Sequence, residues 1–247
     1  MRLTVVGCAP AWAKTPGRSS SAYLVTHGST AVMLDLGQGA FSETWRYTSF
    51  ADVSAVVISH MHADHNVDLI PLRHWVKFEN RGYGPALYGP SELRQRIGEF
   101  QADPYFLDDL HGEANAKRTI SVGDVRIEAA PVTHIPDSWA FRVSSAAGDG
   151  PGLVYSGDCA DADDLLPLVR PGDTLLCEAA FGAGEPDARI HLTAADAAGV
   201  AARGDATRLI LTHIQDGRSE SAARSAAENA FERDVEIARP GLEIDIR

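Results

Sequence analysis

His60-Met61-His62-Ala63-Asp64-His65 puts three imidazoles and a carboxylate within six residues, directly after the apolar run Val53–Ser59. Imidazole nitrogens and carboxylate oxygens are the donors that Zn²⁺ and similar divalent ions accept. A strand that ends in a tight loop can splay alternate side chains toward a common point. The spacing therefore predicts that His60 and His62 reach one metal while Asp64 and His65 reach a second beside it.

One loop cannot complete a metal centre, and the chain offers further donors in similar settings. His134 follows the apolar stretch Val125–Val132, Asp158 follows Leu153–Tyr155, and His213 ends Leu209-Ile210-Leu211-Thr212-His213. Each is a polar residue placed where a hydrophobic strand stops, the position at which α/β folds gather their chemistry. Together with the first cluster they give five histidines and two aspartates, enough for two ions.

These motifs, in this order, resemble the successive metal motifs of the metallo-β-lactamase superfamily, and the resemblance spans essentially the whole chain. It implies that His60, His62 and His134 hold one metal, that Asp64, His65 and His213 hold the other, and that Asp158 bridges them. It also implies one domain over residues 1–247, an α/β four-layer αββα sandwich with the metals at one edge of two sheets. Within the superfamily, Val5-Val6-Gly7-Cys8 and Leu34-Asp35-Leu36-Gly37-Gln38-Gly39 are similar to ribonuclease Z and its shorter phosphodiesterase relatives. So are Cys177-Glu178-Ala179-Ala180-Phe181 and His191-Leu192-Thr193-Ala194, where that branch carries a glutamate and an extra catalytic histidine. Cys177 stands where ribonuclease Z usually has histidine. The long arm with which ribonuclease Z grips transfer RNA is missing between His134 and Asp158.

Composition fits a compact enzyme: 247 residues, 45% hydrophobic and 23% charged. No run reaches the roughly 18 apolar residues of a membrane span. The start, Met1-Arg2-Leu3-Thr4-Val5-Val6, enters a strand with no signal-peptide core, and three scattered cysteines suggest reduced thiols; both imply a cytoplasmic setting. Cys159 reads as packing, not as a ligand. Lys plus Arg 22 against Asp plus Glu 34 gives net −12, which argues against a long nucleic acid as partner. Arg73, Lys77 and Arg81 make the best local basic patch, although a solvated helix face explains them more simply. A homodimer remains open.

The elements that must position these residues alternate between strand and helix. Strands Ala22–Thr26 and Ala31–Leu36 flank a His27-Gly28-Ser29 turn, and Gly123-Asp124 joins two further strands. Helices are expected over Val67–Phe78, with Leu69, Leu72 and Val76 on one side, and over Ser91–Phe100. Asp161 or Asp163 should cap a helix through Val169. Thr193 caps one to Arg203, stopped by Gly204, and Ser219 opens another to Phe231 with an alanine stripe. His27, His74 and His111 have no ligand-like setting. Two ββα-type halves stacked sheet on sheet would satisfy this pattern.

The expected chemistry is hydrolysis with two divalent ions, Zn²⁺ first, with Mn²⁺ and Fe²⁺ accepted by the same donors. Asp64 would orient or deprotonate the nucleophile, and His191, hydrogen-bonded to Glu178, would serve the leaving group. A small phosphodiester such as a 3′,5′-cyclic nucleotide is the expected substrate. The alternatives are an RNA-processing endonuclease, a lactone or carboxyl-ester hydrolase, and a non-catalytic metal-binding regulator.

Overall fold

Hydrophobic alternation on strands buried from both sides builds the frame. In the computed structural model, which describes residues 1–80, 84–111, 119–148, 150–184 and 190–247, the first sheet runs β13-β1-β2-β3-β4-β5. Its strands are β1 (Arg2–Gly7), β2 (Ala22–His27), β3 (Thr30–Leu34), β4 (Ala55–Val57), β5 (Ala86–Tyr88) and β13 (Glu243–Asp245). The second sheet runs β12-β11-β10-β9-β8-β7-β6. It contains β6 (Thr119–Val122), β7 (Val125–Val132), β8 (Ser138–Ser145), β9 (Leu153–Tyr155), β10 (Thr174–Glu178), β11 (Arg208–Thr212) and β12 (Val235–Ile237).

Leu3, Val5, Val32, Leu34, Ala55 and Val57 point into the seam between the sheets, where they meet Ile127, Phe141, Val143, Tyr155, Leu176 and Ile210. The alternate residues Val6, Met33 and Val56 face outward under α3 (Leu69–Phe78) and α4 (Leu93–Gln101). Leu175, Cys177, Leu209 and Leu211 do the same on the second sheet, beneath α5 (Ala194–Arg203) and α6 (Glu220–Phe231). Two short helices, α1 (Ala40–Thr44) and α2 (Ala63–Asn66), complete the set. The result is the expected αββα order of layers. Both faces of each central strand are covered, which is why these segments read as unbroken apolar runs. Among the described residues, no helix is long and apolar enough to cross a membrane.

The hairpins at Gly28 and Gly123 form as read, each glycine with φ near +50 to +57°. The expected helix through Val169 shrinks to a single 3₁₀ turn over Ala162–Leu165, capped by Asp161, whose side chain accepts from the Asp163 N–H. The two halves are also not self-contained: β13, from the C-terminus, pairs with β1 and closes the first sheet.

Arg73 does not contribute to a surface basic patch, whereas Lys77 is exposed. Arg73 is buried, with its guanidinium 4.4 Å from the centroid of the Phe106 ring and Nε 3.0 Å from Asp109. Phe106 and the carboxylates of Asp103 and Asp109 cover and pair it, so it offers no free charge to a substrate; Arg81 lies outside the described residues. All three cysteines are buried and unpaired, and burial pushes the Cys8 thiol up to about 11 and Cys159 to about 12.

α5 begins with a reciprocal cap. Thr193 Oγ1 accepts from the Asp196 N–H, and Asp196 Oδ2 accepts from the Thr193 N–H and hydroxyl. Thr193→Ala should lower stability by about 1 kcal/mol in chemical denaturation.

Candidate metal centre

β7, β9, β10 and β11 run in one direction in the second sheet, since β7 and β9 both pair antiparallel with β8 and β9 to β11 are parallel. His134, Asp158, Glu178 and His213 follow or end these strands, so all four emerge at the same sheet edge. β3 and β4, parallel in the first sheet, deliver Asp35 and His60 to that edge from the other side. α2 then turns Asp64 and His65 back toward it; the N–H of Asn66 Nδ2 clamps the loop by donating to the carbonyls of His60 and His62 at 3.2 and 2.8 Å.

Two donor groups result. His60 Nε2 and His62 Nδ1 are 3.1 Å apart, and His134 Nε2 is 3.3 Å from His62 Nδ1. In the second group His213 Nε2 stands 3.4 Å from His65 Nε2 and 3.1 Å from Asp64 Oδ2. Asp158 lies between the groups. Its Oδ2 faces His60 at 3.5 Å and His134 at 3.9 Å, while Oδ1 faces His65 at 3.3 Å and His213 at 3.7 Å. Two nitrogens on one tetrahedral zinc, each about 2.0–2.1 Å from it, stand about 3.3 Å apart. The observed spacings match that edge, and the donor types suit divalent metals. All seven residues singled out in the sequence meet here, whereas His27, His74 and His111 lie outside the clusters.

Hydrogen bonds fix which ring atom faces inward. Ser59 Oγ gives its only proton to Asp35 Oδ2 at 2.8 Å, so it accepts from His60 Nδ1 at 3.0 Å and leaves His60 Nε2 bare. His134 Nδ1 donates to the Ile190 carbonyl at 3.0 Å, and His65 Nδ1 donates to Asp35 Oδ2 at 2.7 Å. Burial lowers the pKa of His60 and His62 and takes His134 down to about 4, so these three are neutral and ready to coordinate. His65 and His213 move the other way. Burial works against their charge, but Asp158, with Asp35 or Asp64, outweighs it and raises both. The same histidines hold Asp158 well below the usual carboxylate range despite its burial.

Asp35 is the residue that reading the sequence missed as part of the site. It is fully buried, accepts from the Ser59 N–H at 2.6 Å and from the Tyr155 hydroxyl at 2.6 Å, and adopts φ +58°. His213 also sits at φ +58°. Non-glycine residues in this region are strained and persist where the surroundings hold them. The available signal was a lone acid inside the apolar run Val32–Leu36.

His191 stands beside the clusters. Its Nδ1 is 2.8 Å from Glu178 Oε1 and 3.9 Å from Asp158 Oδ2. Burial opposes its charge, yet the Glu178 hydrogen bond prevails and raises its pKa. Glu178 is buried and also accepts from the N–H groups of Cys159 and Ala180, both at 3.0 Å. Cys159 Sγ donates to the Asp161 carbonyl at 3.0 Å, so this thiol points away from the donors.

The beta-lactamase superfamily domain matches residues 32–214, the stretch that contains every one of these donors. The chain belongs to that superfamily. It is 32% identical over 249 residues to the uncharacterized protein Rv1339 of Mycobacterium tuberculosis, covering 95% of this chain and 88% of that one. The probable metallo-hydrolase YhfI of Bacillus subtilis is 26% identical, with 98% of each chain covered. The crystal structure of YhfI superposes with a TM-score of 0.87 at 24% identity over 99% of both chains. Ribonuclease Z of Natronomonas pharaonis is 25% identical, covering 100% of this chain and 98% of that one. This member of the superfamily is thus a metal-dependent hydrolase with clusters suited to divalent ions.

Asp35→Asn keeps the side-chain volume but removes the negative charge that orients His65. It should weaken metal retention by roughly ten- to a hundredfold, the usual effect of losing an outer partner. Competition against a chelator of known affinity measures this, and unchanged affinity with an intact circular dichroism spectrum would reject the role.

Proposed function

We propose that the protein is a dinuclear-metal phosphodiesterase whose substrate is a small phosphodiester such as a 3′,5′-cyclic nucleotide. The observation that carries this reading is Asp158 between two three-residue donor groups, with the His191–Glu178 pair at its flank. His60, His62 and His134 would hold one ion, Asp64, His65 and His213 the other, and Asp158 both. Two such ions supply Lewis acidity, lowering the pKa of water toward neutrality and neutralising charge that builds on phosphoryl oxygens.

The side chains do the rest. Asp64 orients the attacking water and takes its proton. As the new bond from water oxygen to phosphorus forms, the bond to the ribose oxygen breaks. That oxygen receives a proton from His191 Nε2, the ring nitrogen not committed to Glu178. Glu178, fixed by two main-chain N–H donors, keeps His191 charged until the proton is needed.

Size selection supports a small substrate. β8, a turn and β9 take up the chain between His134 and Asp158, leaving little length for an arm. The net charge of −12 opposes a long polyanion. Kinship with ribonuclease Z favours phosphoryl over carboxyl-ester chemistry. A specific observation favours one rival role: the donor atoms of Asp158, His191 and His213 lie within 4.8 Å of one another, so His191 could be a ligand instead of an acid. The shorter contact of His191, to Glu178, argues for the acid.

His191→Ala should cut turnover by roughly 10²–10⁴ while metal content stays near two ions, and Glu178→Gln should show a milder form of the defect. Asp158→Ala should deplete both ions. Elemental analysis beside steady-state rates checks all three, and loss of metal from His191→Ala would make it a ligand.

The substrate is tested on one preparation against cyclic AMP, a chromogenic phosphodiester, precursor transfer RNA, a lactone and a β-lactam. Cyclic AMP should be turned over best. Efficient cleavage of precursor transfer RNA alone would move the protein to RNA processing, and activity on the lactone or β-lactam alone would remove phosphoryl chemistry.

A further inference from the structure

A cleft of about 690 Å³ opens beside His191, between the Asp161–Leu165 turn and one face of α5. Its size is that of a small-molecule site, roughly 300–1,000 Å³. His191 is one of its lining residues, so the cleft borders the proposed reacting centre.

The α5 wall is built from small residues. Ala195, Gly199 and Arg203 follow one another at helical spacing on the face that lines the cleft, and Ala160 and Ala162 line it from the 3₁₀ side. Gly199 is the informative one. A glycine inside a helix weakens it relative to alanine. Packing does not require it, because a Cβ added at Gly199 would meet nothing within 4 Å. The space left open by its missing side chain is therefore part of the cleft.

The rim is polar and acidic. Asp161, Asp163 and Asp196 line it against the single guanidinium of Arg203, which is itself paired with Asp163. Asp163 is taken by Arg203, and one oxygen each of Asp161 and Asp196 by a cap, so the second oxygens of Asp161 and Asp196 are what the rim offers, to a neutral group that donates hydrogen bonds. A shallow, small-residue wall with such a rim suits a flat ring carrying an exocyclic amine.

We infer that this cleft holds the nucleobase of the substrate, and that Gly199 and Ala195 set the room for it. The inference rests on the phosphodiesterase reading for its substrate class, with the phosphate left to the metal clusters and His191 between the two parts. An amine-bearing base, adenine above all, should be preferred to uracil.

Gly199→Leu and Ala195→Leu test it, with Gly199→Ala as the folding control, expected to melt no lower than wild type. Each leucine variant should raise KM for cyclic AMP about tenfold while kcat changes less than about threefold. The ratio of kcat/KM for cyclic AMP over methyl 4-nitrophenyl phosphate, which has no base, should fall by about the same factor. Equilibrium dialysis of adenosine against metal-free protein gives a readout independent of turnover. Wild type should bind adenosine more tightly than uridine, and the leucine variants should lose it. If adenosine binds wild type and not the variants while no phosphodiester is hydrolysed, the cleft assignment stands and the phosphodiesterase reading falls. An unchanged specificity ratio, or equal retention of adenosine by wild type and variants, overturns the assignment.

Discussion

The carboxylate of Asp35 is the constraint on which the site depends. It sits at the seam of the two sheets with no solvent, where an unpaired charge is prohibitively costly. Four donors answer it: the Ser59 N–H and hydroxyl, His65 Nδ1 and the Tyr155 hydroxyl. Tyr155 belongs to the second sheet, whereas Asp35 and Ser59 follow β3 and β4 of the first and His65 sits on α2, so satisfying one charge also sets how the two sheets meet. Tyr23 repeats the tie from the opposite side, 2.7 Å from Thr212 Oγ1, one residue before His213. The rings of Tyr23 and Tyr155 stand 4.9 Å apart, which leaves little freedom for the sheet edges to slide. Donors from both sides of the seam stay in register because it is locked by hydrogen bonds with direction, where apolar packing alone would allow adjustment.

The two donor groups differ electrostatically. His60, His62 and His134 answer mainly to burial and stay neutral, as coordination requires. His65 and His213 lie beside Asp158, Asp64 and Asp35 and attract protons in the absence of a cation. The acids that raise these pKa values are the same ones that favour a dication there.

Much of this was legible in the chain because the relevant signals are local. The His60–His65 cluster, the strand-end positions of His134, Asp158 and His213, and the caps at Thr193 and Ser219 each depend on a few neighbouring residues, and the fold gathers those donors and forms both caps. What stayed hidden depends on contacts between distant segments. Asp35 acquires its role only when Tyr155 arrives from 120 residues away. Arg73 looks like a surface charge on a helical face until Phe106 and Asp109 cover it. The pairing of β13 with β1 likewise joins the two ends of the chain, for which no local pattern could speak.

α5 shows how one element serves several ends. Its first turn is fixed by the Thr193–Asp196 cap, and the residue two before that cap is His191. Rigidity at the cap therefore passes to the ring that must keep its Nδ1 on Glu178. Glu178 in turn is held by Cys159 and Ala180 through their N–H groups, so it cannot rotate away without breaking main-chain hydrogen bonds, and His191 cannot without losing its bond to Glu178. The buried face, Ala194, Ala197, Ala198, Val200 and Ala201, lets the helix lie close against β10 and β11. The opposite face, with Gly199, gives up helix stability where no packing demands it. Alanine there would strengthen the helix without a clash, so Gly199 is the position on this face where the helix can gain a side chain most easily.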